Sequence, residues 1–531
     1  MPLTLSLPFR PIYCLSSILS LVALFSSAVL SATDLPVFSP EDVFEIEYAS
    51  DPRVSPDGSQ VAYVRVSMDI MTDRARRAIW VVDTDGTNHR PLVSGQGNFS
   101  SPRWSPSGDR LAYLSNTEGK TQLFVEWLDA GETAKVTTLP QPPRGIVWSP
   151  DGEQIAFTRL VPTAPPVLAT MPDKPKGATW AEPATVVDKM TFRVDGGGYL
   201  PSGSQQVFVV PAHGGTPRQM TSGDFPISSA VTWSPDSQSV IFSSNRRDDA
   251  EYHPRQSDLF AAALPTGQIT QITDTAGPEG RPVVSPNGRY LAYTQTADIR
   301  QGYNGAKLMI RDLRTSESRS LTTDFDRSVS DIQWSQDSKS LWISYTDLGM
   351  VRVAKIDLRG KLRQSDIVVG GTAIGRPYTS GSFSVGGKGR LAYTLGRDDR
   401  PADVALLRPG KTPLKLTDLN GDLMGQRQMT RAERITWPSS HDAMMIEGWV
   451  MKPPGFDPAK TYPMILEIHG GPHSAYGPNY STEAQLFAAA GYVVLYTNPR
   501  GSTSYGEQFA NEIDLAYPGF DEDDLISGVD D

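Results

Sequence analysis

Seven copies of one short sequence cassette occupy the chain from residue 54 to residue 395. Each copy has an aromatic or apolar residue, then Ser-Pro-Asp-Gly or a variant of it, two polar residues and an apolar strand. The copies are Val54-SPDGSQ-VAYVRV, Trp104-SPSGDR-LAYLS, Trp148-SPDGEQ-IAFTRL, Trp233-SPDSQS-VIFSS, Val284-SPNGRY-LAYTQ, Trp334-SQDSKS-LWISY and the degenerate Ser384-VGGKGR-LAYTL. The strands begin at residues 61, 111, 155, 240, 291, 341 and 391. A nearly fixed period of this length is typical of a stacked or radial repeat architecture.

The residues of each cassette predict a tight turn followed by short strands. Pro presets φ and Gly supplies positive φ, so Pro-Asp-Gly forms the turn. A second apolar run follows in many copies, as at residues 79–82, 123–125 and 207–210. Four short strands in a unit of about 50 residues are the content of a propeller blade. The sequence therefore predicts an all-β, seven-bladed β-propeller over residues 32–430, with a helical solenoid as the disfavoured alternative.

One interval of the repeat is longer than the others, at 85 residues. It contains an insertion from Leu160 to Ser204 that is rich in Pro, Ala and Gly, and this insertion either decorates a blade or contains an eighth one. The tryptophans that precede the turns could be imagined as ligand platforms. Their constant register favours core packing instead, because periodic apolar positions face the core. The residues in question are Trp104, Trp148, Trp233 and Trp334.

The last hundred residues follow a different pattern. Two β-like runs after Glu433 lead to YPMILEIHGGP, from Tyr462 to Pro472, then to a helix-like stretch at residues 483–490 and an apolar run at 492–496. Continuous apolar runs are typical of strands that are buried on both faces. The order strand, glycine-rich loop, helix, strand is how an α/β-hydrolase begins. We therefore expect an incomplete α/β-hydrolase domain over residues 431–531.

The candidate chemistry lies in His469-Gly470-Gly471-Pro472, which we call the oxyanion loop. Acyl transfer develops negative charge on oxygen, and preorganised backbone N–H groups stabilise it. Two glycines let the main chain approach that oxygen without obstruction by side chains. A plain turn at a strand end is the structural alternative. The motif Asn498-Pro-Arg-Gly-Ser at the next strand end favours the oxyanion loop.

The sequence contains no G-x-S-x-G nucleophile turn. Two other polar groups could be mistaken for catalytic or metal sites. The acidic residues 521–524 are expected to complement the dipole of a helix that begins there, rather than to bind a metal. His441 and Asp442 are neighbours in a turn, whereas a base and its orienting acid must face each other in space. We expect no cofactor and no metal.

The N-terminus predicts export. Arg10 precedes a serine-laced apolar stretch at residues 12–30, and small residues precede Ala32, which together are typical of a cleaved signal peptide over residues 1–31. An uncleaved anchor is the alternative, because 19 residues could span a bilayer. The single cysteine, Cys14, leaves with the signal, which excludes disulfides, a cysteine nucleophile and a zinc–thiolate site in the mature chain. The net charge of −11 argues against a nucleic-acid partner.

These features together resemble the prolyl oligopeptidase family of serine peptidases. His469-Gly-Gly-Pro and the stretch from Phe192 to Tyr199 (FRVDGGGY) are most similar to its acylaminoacyl-peptidase and bacterial dipeptidyl-peptidase branch; other branches tend to carry Tyr where His469 stands. The resemblance covers nearly all of residues 36–531. It implies a propeller that caps a hydrolase and admits only short peptides. It also implies that Gly471 donates its N–H to the oxyanion and that His469 shapes the oxyanion loop.

Two functions remain open at this point. The first is an exported serine exopeptidase, secreted or periplasmic, whose triad Ser, Asp and His are absent from the 531 residues. That chain is then a truncated or partial product and is expected to be inactive, with no stable membrane insertion after signal cleavage. The second is a non-enzymatic TolB-like propeller that binds a partner and carries a vestigial α/β appendage. Dipeptidyl or acylaminoacyl cleavage, residue preference at the scissile bond and oligomeric state all stay open.

Overall fold

The structure is a computed structural model that describes residues 35–164, 169–170, 172–181, 184–227 and 230–531. The predicted signal peptide, residues 1–31, lies outside the described residues. Within the described part, the strands up to Lys415 form seven four-stranded antiparallel sheets, which follow one another along the chain. The second strand of each sheet is the cassette strand, and it begins within one residue of the predicted position. The cassette thus marks one sheet per repeat.

Strands that are consecutive in the chain make up six of the seven sheets, and sheet three is interrupted by a two-stranded hairpin. Sheets one and two contain β1 (Glu47–Val54), β2 (Gln60–Asp69), β3 (Arg74–Asp83), β4 (Arg90–Val93), then β5 (Phe99–Trp104), β6 (Arg110–Ser115), β7 (Gln122–Trp127) and β8 (Glu132–Lys135). Sheet three contains β9 (Arg144–Trp148), β10 (Gln154–Pro162), β13 (Gly203–Pro211) and β14 (Arg218–Gln219), with the hairpin β11 (Arg193–Val194) and β12 (Gly198–Tyr199) between its middle strands. Sheets four and five contain β15 (Thr232–Trp233), β16 (Ser239–Ser244), β17 (Asp258–Ala263), β18 (Ile269–Gln271), then β19 (Glu279–Val284), β20 (Tyr290–Gln295), β21 (Lys307–Asp312) and β22 (Ser318–Ser320). Sheets six and seven contain β23 (Val329–Trp334), β24 (Ser340–Asp347), β25 (Met350–Asp357), β26 (Leu362–Val369), then β27 (Phe383–Val385), β28 (Leu391–Arg397), β29 (Arg400–Leu407) and β30 (Leu414–Lys415).

The cassette turn is built as its residues predict. In the first copy, the N–H of Gly58 donates to the Ser55 carbonyl at 2.9 Å, and Gly58 has a φ of +75°. The Ser55 hydroxyl donates to Asp57 at 2.6 Å and accepts from the N–H of Gln60 at 3.0 Å. Because glycine reaches positive φ without steric cost, the turn closes and delivers the chain directly into β2.

Each cassette tryptophan joins its sheet to the preceding one. The indole N–H donates to the main-chain carbonyl that precedes the cassette of the neighbouring sheet. These bonds run from Trp104 to Arg53 (2.9 Å), from Trp148 to Arg103 (2.9 Å), from Trp233 to Val147 (3.1 Å) and from Trp334 to Val283 (3.0 Å). The predicted core packing is confirmed for Trp148, Trp233 and Trp334, which are buried, while Trp104 is half-buried. The register thus supplies a directional bond between sheets as well as apolar contact.

The first and seventh sheets also pack against each other. Val61 and Tyr63 of β2 share a buried cluster with Val404 and Leu406 of β29. The N–H of Val54 donates to the Ser384 hydroxyl at 3.0 Å. The two ends of the repeat array therefore meet.

The insertion is a decoration of the third sheet. β10 and β13 pair directly, with Leu160 opposite Gln205, so the inserted segment is residues 163–202 rather than the wider range expected from sequence. Its described residues form only the two-stranded hairpin β11–β12. They contain no eighth four-stranded sheet.

The chain after residue 431 forms a mixed sheet in the order β31-β32-β34-β33. Its strands are β31 (Ala432–Pro438), β32 (Met445–Met451), β33 (Met464–Glu467) and β34 (Val493–Asn498). Only β33 and β34 are parallel, and helix α2 (Thr482–Ala489) connects them. The short helices α1 (Gly421–Met424) and α3 (Glu507–Asn511) and the longer α4 (Asp521–Asp530) complete the described α-helices, and 3₁₀ helices span Glu41–Glu45 and Gly387–Gly389. The predicted order of strand, loop, helix and strand is confirmed, and Gly491 ends α2 at a φ of +95°.

Candidate active site

The oxyanion loop and the Asn498–Ser502 motif lie at the same edge of the mixed sheet. Glu467 of β33 pairs in parallel with Tyr496 of β34, so the carboxyl ends of these two strands are adjacent. Both motifs begin within two residues of those paired positions. Parallel strand ends at one edge are where open α/β sheets place their ligand sites.

His469 joins the two strand ends. Its side chain is buried, and its Nε2 atom lies 2.9 Å from the Ser502 hydroxyl. Its Nδ1 atom lies 3.1 Å from the Gly470 carbonyl, and its ring meets Tyr476 edge-on. Burial lowers the pKa of His469 below its ordinary value of 6.5. The imidazole, held between the two strand ends, constrains the start of the oxyanion loop.

Gly471 has the conformation that makes a glycine necessary. Its φ is +141°, and a Cβ atom placed on it would lie 3.0 Å from the His473 nitrogen. Gly471 is exposed, and within the described part of the chain its N–H has no hydrogen-bond acceptor. The N–H of Gly470, by contrast, donates to the Tyr378 hydroxyl at 3.2 Å. Gly471 therefore retains a free backbone donor at the sheet edge, as an oxyanion contact requires.

Asn498 holds the chain that returns from the oxyanion loop. Its carboxamide oxygen accepts from the N–H of Tyr476 at 2.8 Å, and its amide nitrogen donates to the Tyr476 carbonyl at 2.9 Å. The same nitrogen lies 2.9 Å from the Tyr505 hydroxyl. The Asn498 side chain thus pairs with a main-chain peptide as a neighbouring strand would, and it fixes the far end of the loop.

Arg500 forms a buried ion pair beneath these loops. Its guanidinium donates to both carboxylate oxygens of Asp524, at 2.8 and 2.9 Å, and to Asp442 at 3.0 and 3.1 Å. The hydrogen bonds from Arg500 lower the pKa of Asp442. The hydrogen bond to Asp524 and, as a smaller cause, the one to Asp442 raise the pKa of Arg500. Helix α4 begins at Asp521, with all four acidic residues in its first turn as expected, and Asp524 has a further role because its carboxylate is fully buried against Arg500. His441 stacks on Phe520 instead of facing Asp442.

Two residues of the repeat region contact the oxyanion loop or His473, which directly follows it, and the sequence pattern did not indicate either. Tyr378 lies between β26 and β27, and its hydroxyl contacts Gly470. Tyr303 lies between β20 and β21, and its ring centroid is 5.6 Å from that of His473. Both occupy connections outside the cassettes, where the repeat carries no positional information.

Neither a cluster of metal ligands nor a membrane-spanning helix is found in the described residues. Over the described ranges, histidine, cysteine and acidic side chains form no group of three or more that could hold a metal ion. None of the helices in that part of the chain has the length and apolar character needed to cross a bilayer.

Three family profiles match separate parts of the chain. The TolB beta propeller domain matches residues 58–163, and the dipeptidyl peptidase IV N-terminal region matches residues 178–298. The prolyl oligopeptidase family profile matches residues 478–531. The profiles thus match β-propeller families over part of the repeat region and a peptidase family over the last part of the chain.

Full-length comparisons give the same assignment. The chain is 29% identical over 513 residues to the uncharacterized peptidase YuxL of Bacillus subtilis, covering 92% of this chain and 75% of that protein. It is 26% identical over 511 residues to dipeptidyl-peptidase 5 of Porphyromonas gingivalis, covering 93% and 72%. The acylaminoacyl peptidase structure of Pyrococcus horikoshii superposes with a TM-score of 0.74 at 20% identity, over 92% of this chain and 71% of that one. At this identity the structural match establishes the fold.

Proposed function

This chain belongs to the prolyl oligopeptidase family of serine peptidases, and from that membership we propose that it is part of an exported exopeptidase. The enzyme cleaves short peptides through an acyl-enzyme and releases a dipeptide or an acylated amino acid. The observation that carries the proposal is the free N–H of Gly471 at the paired ends of β33 and β34. A tetrahedral intermediate develops its negative charge on one oxygen, and a fixed donor at that point lowers the barrier.

The access of peptides is proposed to be limited by a closed seven-bladed propeller. Seven consecutive four-stranded sheets and the packing of β2 against β29 support closure. The hydrogen bond from Val54 to Ser384 joins the first sheet to the last. A closed array would hold the sheets around one axis and leave only narrow routes to the sheet edge that carries Gly471.

The nucleophile is proposed to lie outside these 531 residues. They contain no G-x-S-x-G, although the family resemblance requires a serine on such a turn. The chain supplies the propeller and the oxyanion side of the site, and the serine, acid and histidine of the triad belong to the remainder of the enzyme. Alone, the 531-residue chain is then inactive.

Localisation in the periplasm or outside the cell is part of the same proposal. The apolar residues 12–30 and the small residues before Ala32 support a cleaved signal peptide. N-terminal sequencing of the exported protein should start at Ala32. A mature N-terminus at Met1, in a membrane fraction, would favour an anchor instead.

Hydrolysis and active-site labelling test the catalytic proposal. The 531-residue chain should cleave neither dipeptidyl- nor acetylaminoacyl-p-nitroanilides and should not react with a fluorophosphonate. A version that extends through the complete reading frame should gain both properties. A preference for free or for acetylated N-termini then separates dipeptidyl from acylaminoacyl release. Labelling of the 531-residue chain itself would contradict the proposal, since it would place the nucleophile among its own serines.

A further inference from the structure

We propose that the propeller positions the oxyanion loop through Tyr378, with Tyr303 as a second contact, so that turnover depends on how the propeller is seated on the hydrolase part. The inference rests on the proposed function, because it assigns a role within the same site. Tyr378 is a positioning residue here, since it acts on the substrate only through the loop.

The Tyr378 hydroxyl fixes the peptide that precedes the free donor. It accepts the N–H of Gly470 at 3.2 Å, and Gly470 is directly followed by Gly471. Two consecutive glycines rotate more freely than any other residue pair. Without a partner for the first N–H, the direction of the second would be poorly defined. Anchoring Gly470 therefore narrows the orientations available to the Gly471 donor.

Tyr378 is itself held against the hydrolase part by main-chain bonds. The N–H of Thr379 donates to the Ala475 carbonyl at 3.1 Å, and the N–H of Gly477 donates to the Pro377 carbonyl at 3.0 Å. These bonds place Tyr378 opposite Tyr476 in a short antiparallel bridge. Their rings meet edge-on with centroids 4.8 Å apart. The backbone and the ring of Tyr378 are therefore both held in place, and this limits the positions that its hydroxyl can occupy.

The second contact lies on the other side of Gly471. The Tyr303 ring packs against His473, whose Nδ1 atom lies 3.1 Å from the Gly501 carbonyl. The N–H of Tyr303 donates to Asn511 at 2.9 Å. Gly302 is packed so closely that an added Cβ atom would lie 2.9 Å from His473 Nε2. Propeller residues therefore contact the residue before Gly471 and the second residue after it.

The alternative explanation is that the propeller and the hydrolase part simply pack against each other. Removal of the Tyr378 hydroxyl distinguishes this explanation from the proposed anchoring of the loop. Tyr378→Phe keeps the ring, the ring pair and both main-chain bonds, but it removes the acceptor for Gly470. Tyr496→Phe is the matched control, because it removes a buried hydroxyl from a ring that packs against Tyr476 in the same cluster. Within the described part of the chain that hydroxyl has no hydrogen-bond partner.

Amide exchange tests the geometry on the 531-residue chain. One lost hydrogen bond should speed exchange at Gly470 by about 5- to 10-fold in Tyr378→Phe. Tyr496→Phe should exchange at this amide as the wild type does. Equal Gly470 exchange in the two variants would overturn the inference, because the hydroxyl would then not anchor the loop.

Kinetics of the complete enzyme test the consequence. Tyr378→Phe should lower kcat by about 10-fold with little change in KM, which is less than the 10² to 10³ expected for loss of a whole oxyanion donor. If Tyr378→Phe and the control variant have equal kcat, the inference is wrong while the proposed function stands. A wild type that neither hydrolyses peptides nor reacts with a fluorophosphonate overturns the proposed function, and the inference with it. If Tyr378→Phe does not fold, Gly302→Ala tests the same dependence from the His473 side, and unchanged kcat there is again contradictory.

Discussion

Loss of the Asp524 carboxylate should weaken the hydrolase part more than loss of any acid on its surface. This carboxylate is fully buried and accepts two guanidinium bonds and the main-chain N–H of Arg500, at 2.8 to 2.9 Å. Arg500 is only 3% exposed. Removing one partner of such a pair costs about 3–5 kcal/mol, because the other charge stays buried. Asp442 still faces Arg500 in Asp524→Ala, so we expect about 3 kcal/mol, the lower end of that range.

Native-state amide exchange resolves this loss in the part of the chain where it occurs. A destabilisation of about 3 kcal/mol corresponds to roughly 150-fold faster exchange when closing is faster than chemical exchange, so that the rate follows the opening equilibrium. The increase should fall on the amides of β34, since Arg500 follows that strand directly. Amides of the seven propeller sheets should exchange at their wild-type rates, because the ion pair lies wholly within the hydrolase part.

Glu522→Ala is the matched control. It removes an acid from the same helical turn, but the Glu522 side chain is exposed. Asp442→Ala should have a much smaller effect than Asp524→Ala, because Arg500 keeps its buried partner. If Asp524→Ala and Glu522→Ala gave the same exchange in β34, the ion pair would not stabilise this sheet and the reasoning from burial would be wrong.

Two further predictions concern the propeller. Trp233→Phe removes the indole bond to the Val147 carbonyl and should lower the free energy of unfolding by about 1–3 kcal/mol. In urea melts, Trp180→Phe in the exposed insertion should change little, and equal effects would contradict an inter-sheet role. Burial raises the pKa of Glu279, so the folded state holds this proton to higher pH than the unfolded state and stability falls as pH rises through the folded-state pKa. Glu279→Gln should therefore gain stability relative to the wild type as the pH rises from the ordinary glutamate pKa of 4.5 through the raised folded-state pKa, and a difference that stays constant with pH would contradict this sign.

The cassette predicted the propeller strands because turn chemistry and strand position are local. Gly58 and Ser55 form the turn from their own residues, and β2 begins at the expected position. The elements of the mixed sheet were equally predictable, since the apolar runs of β33 and β34 and the glycine at the end of α2 are local signals too. What sequence periodicity describes well is therefore the strand order and the motif that each strand carries.

Partners between distant segments were not predictable in the same way. Tyr378 and Gly470 are 92 residues apart, and Trp437 donates to the Asp524 carbonyl across 87 residues. Nothing in the local sequence indicates that Tyr378 or Trp437 has such a distant partner. Asp524 resembles its three acidic neighbours in sequence, and only burial against Arg500 distinguishes it. The insertion is also shorter than the expected residues 160–204, because β10 and β13 extend into that range and pair with each other.

The central claim is that the N–H of Gly471 stabilises the oxyanion, and turnover by the complete enzyme with Gly471→Ala tests it most directly. Alanine at a φ of +141° is strained, and its Cβ atom would lie 3.0 Å from the His473 nitrogen, so the donor must move. Gly95→Ala is the matched control, since Gly95 has a φ of +143° with no heavy atom within 4 Å of an added Cβ atom. We predict that kcat falls by about 10² to 10³ in Gly471→Ala and stays near the wild-type value in Gly95→Ala. A folded Gly471→Ala enzyme with full kcat would contradict the account.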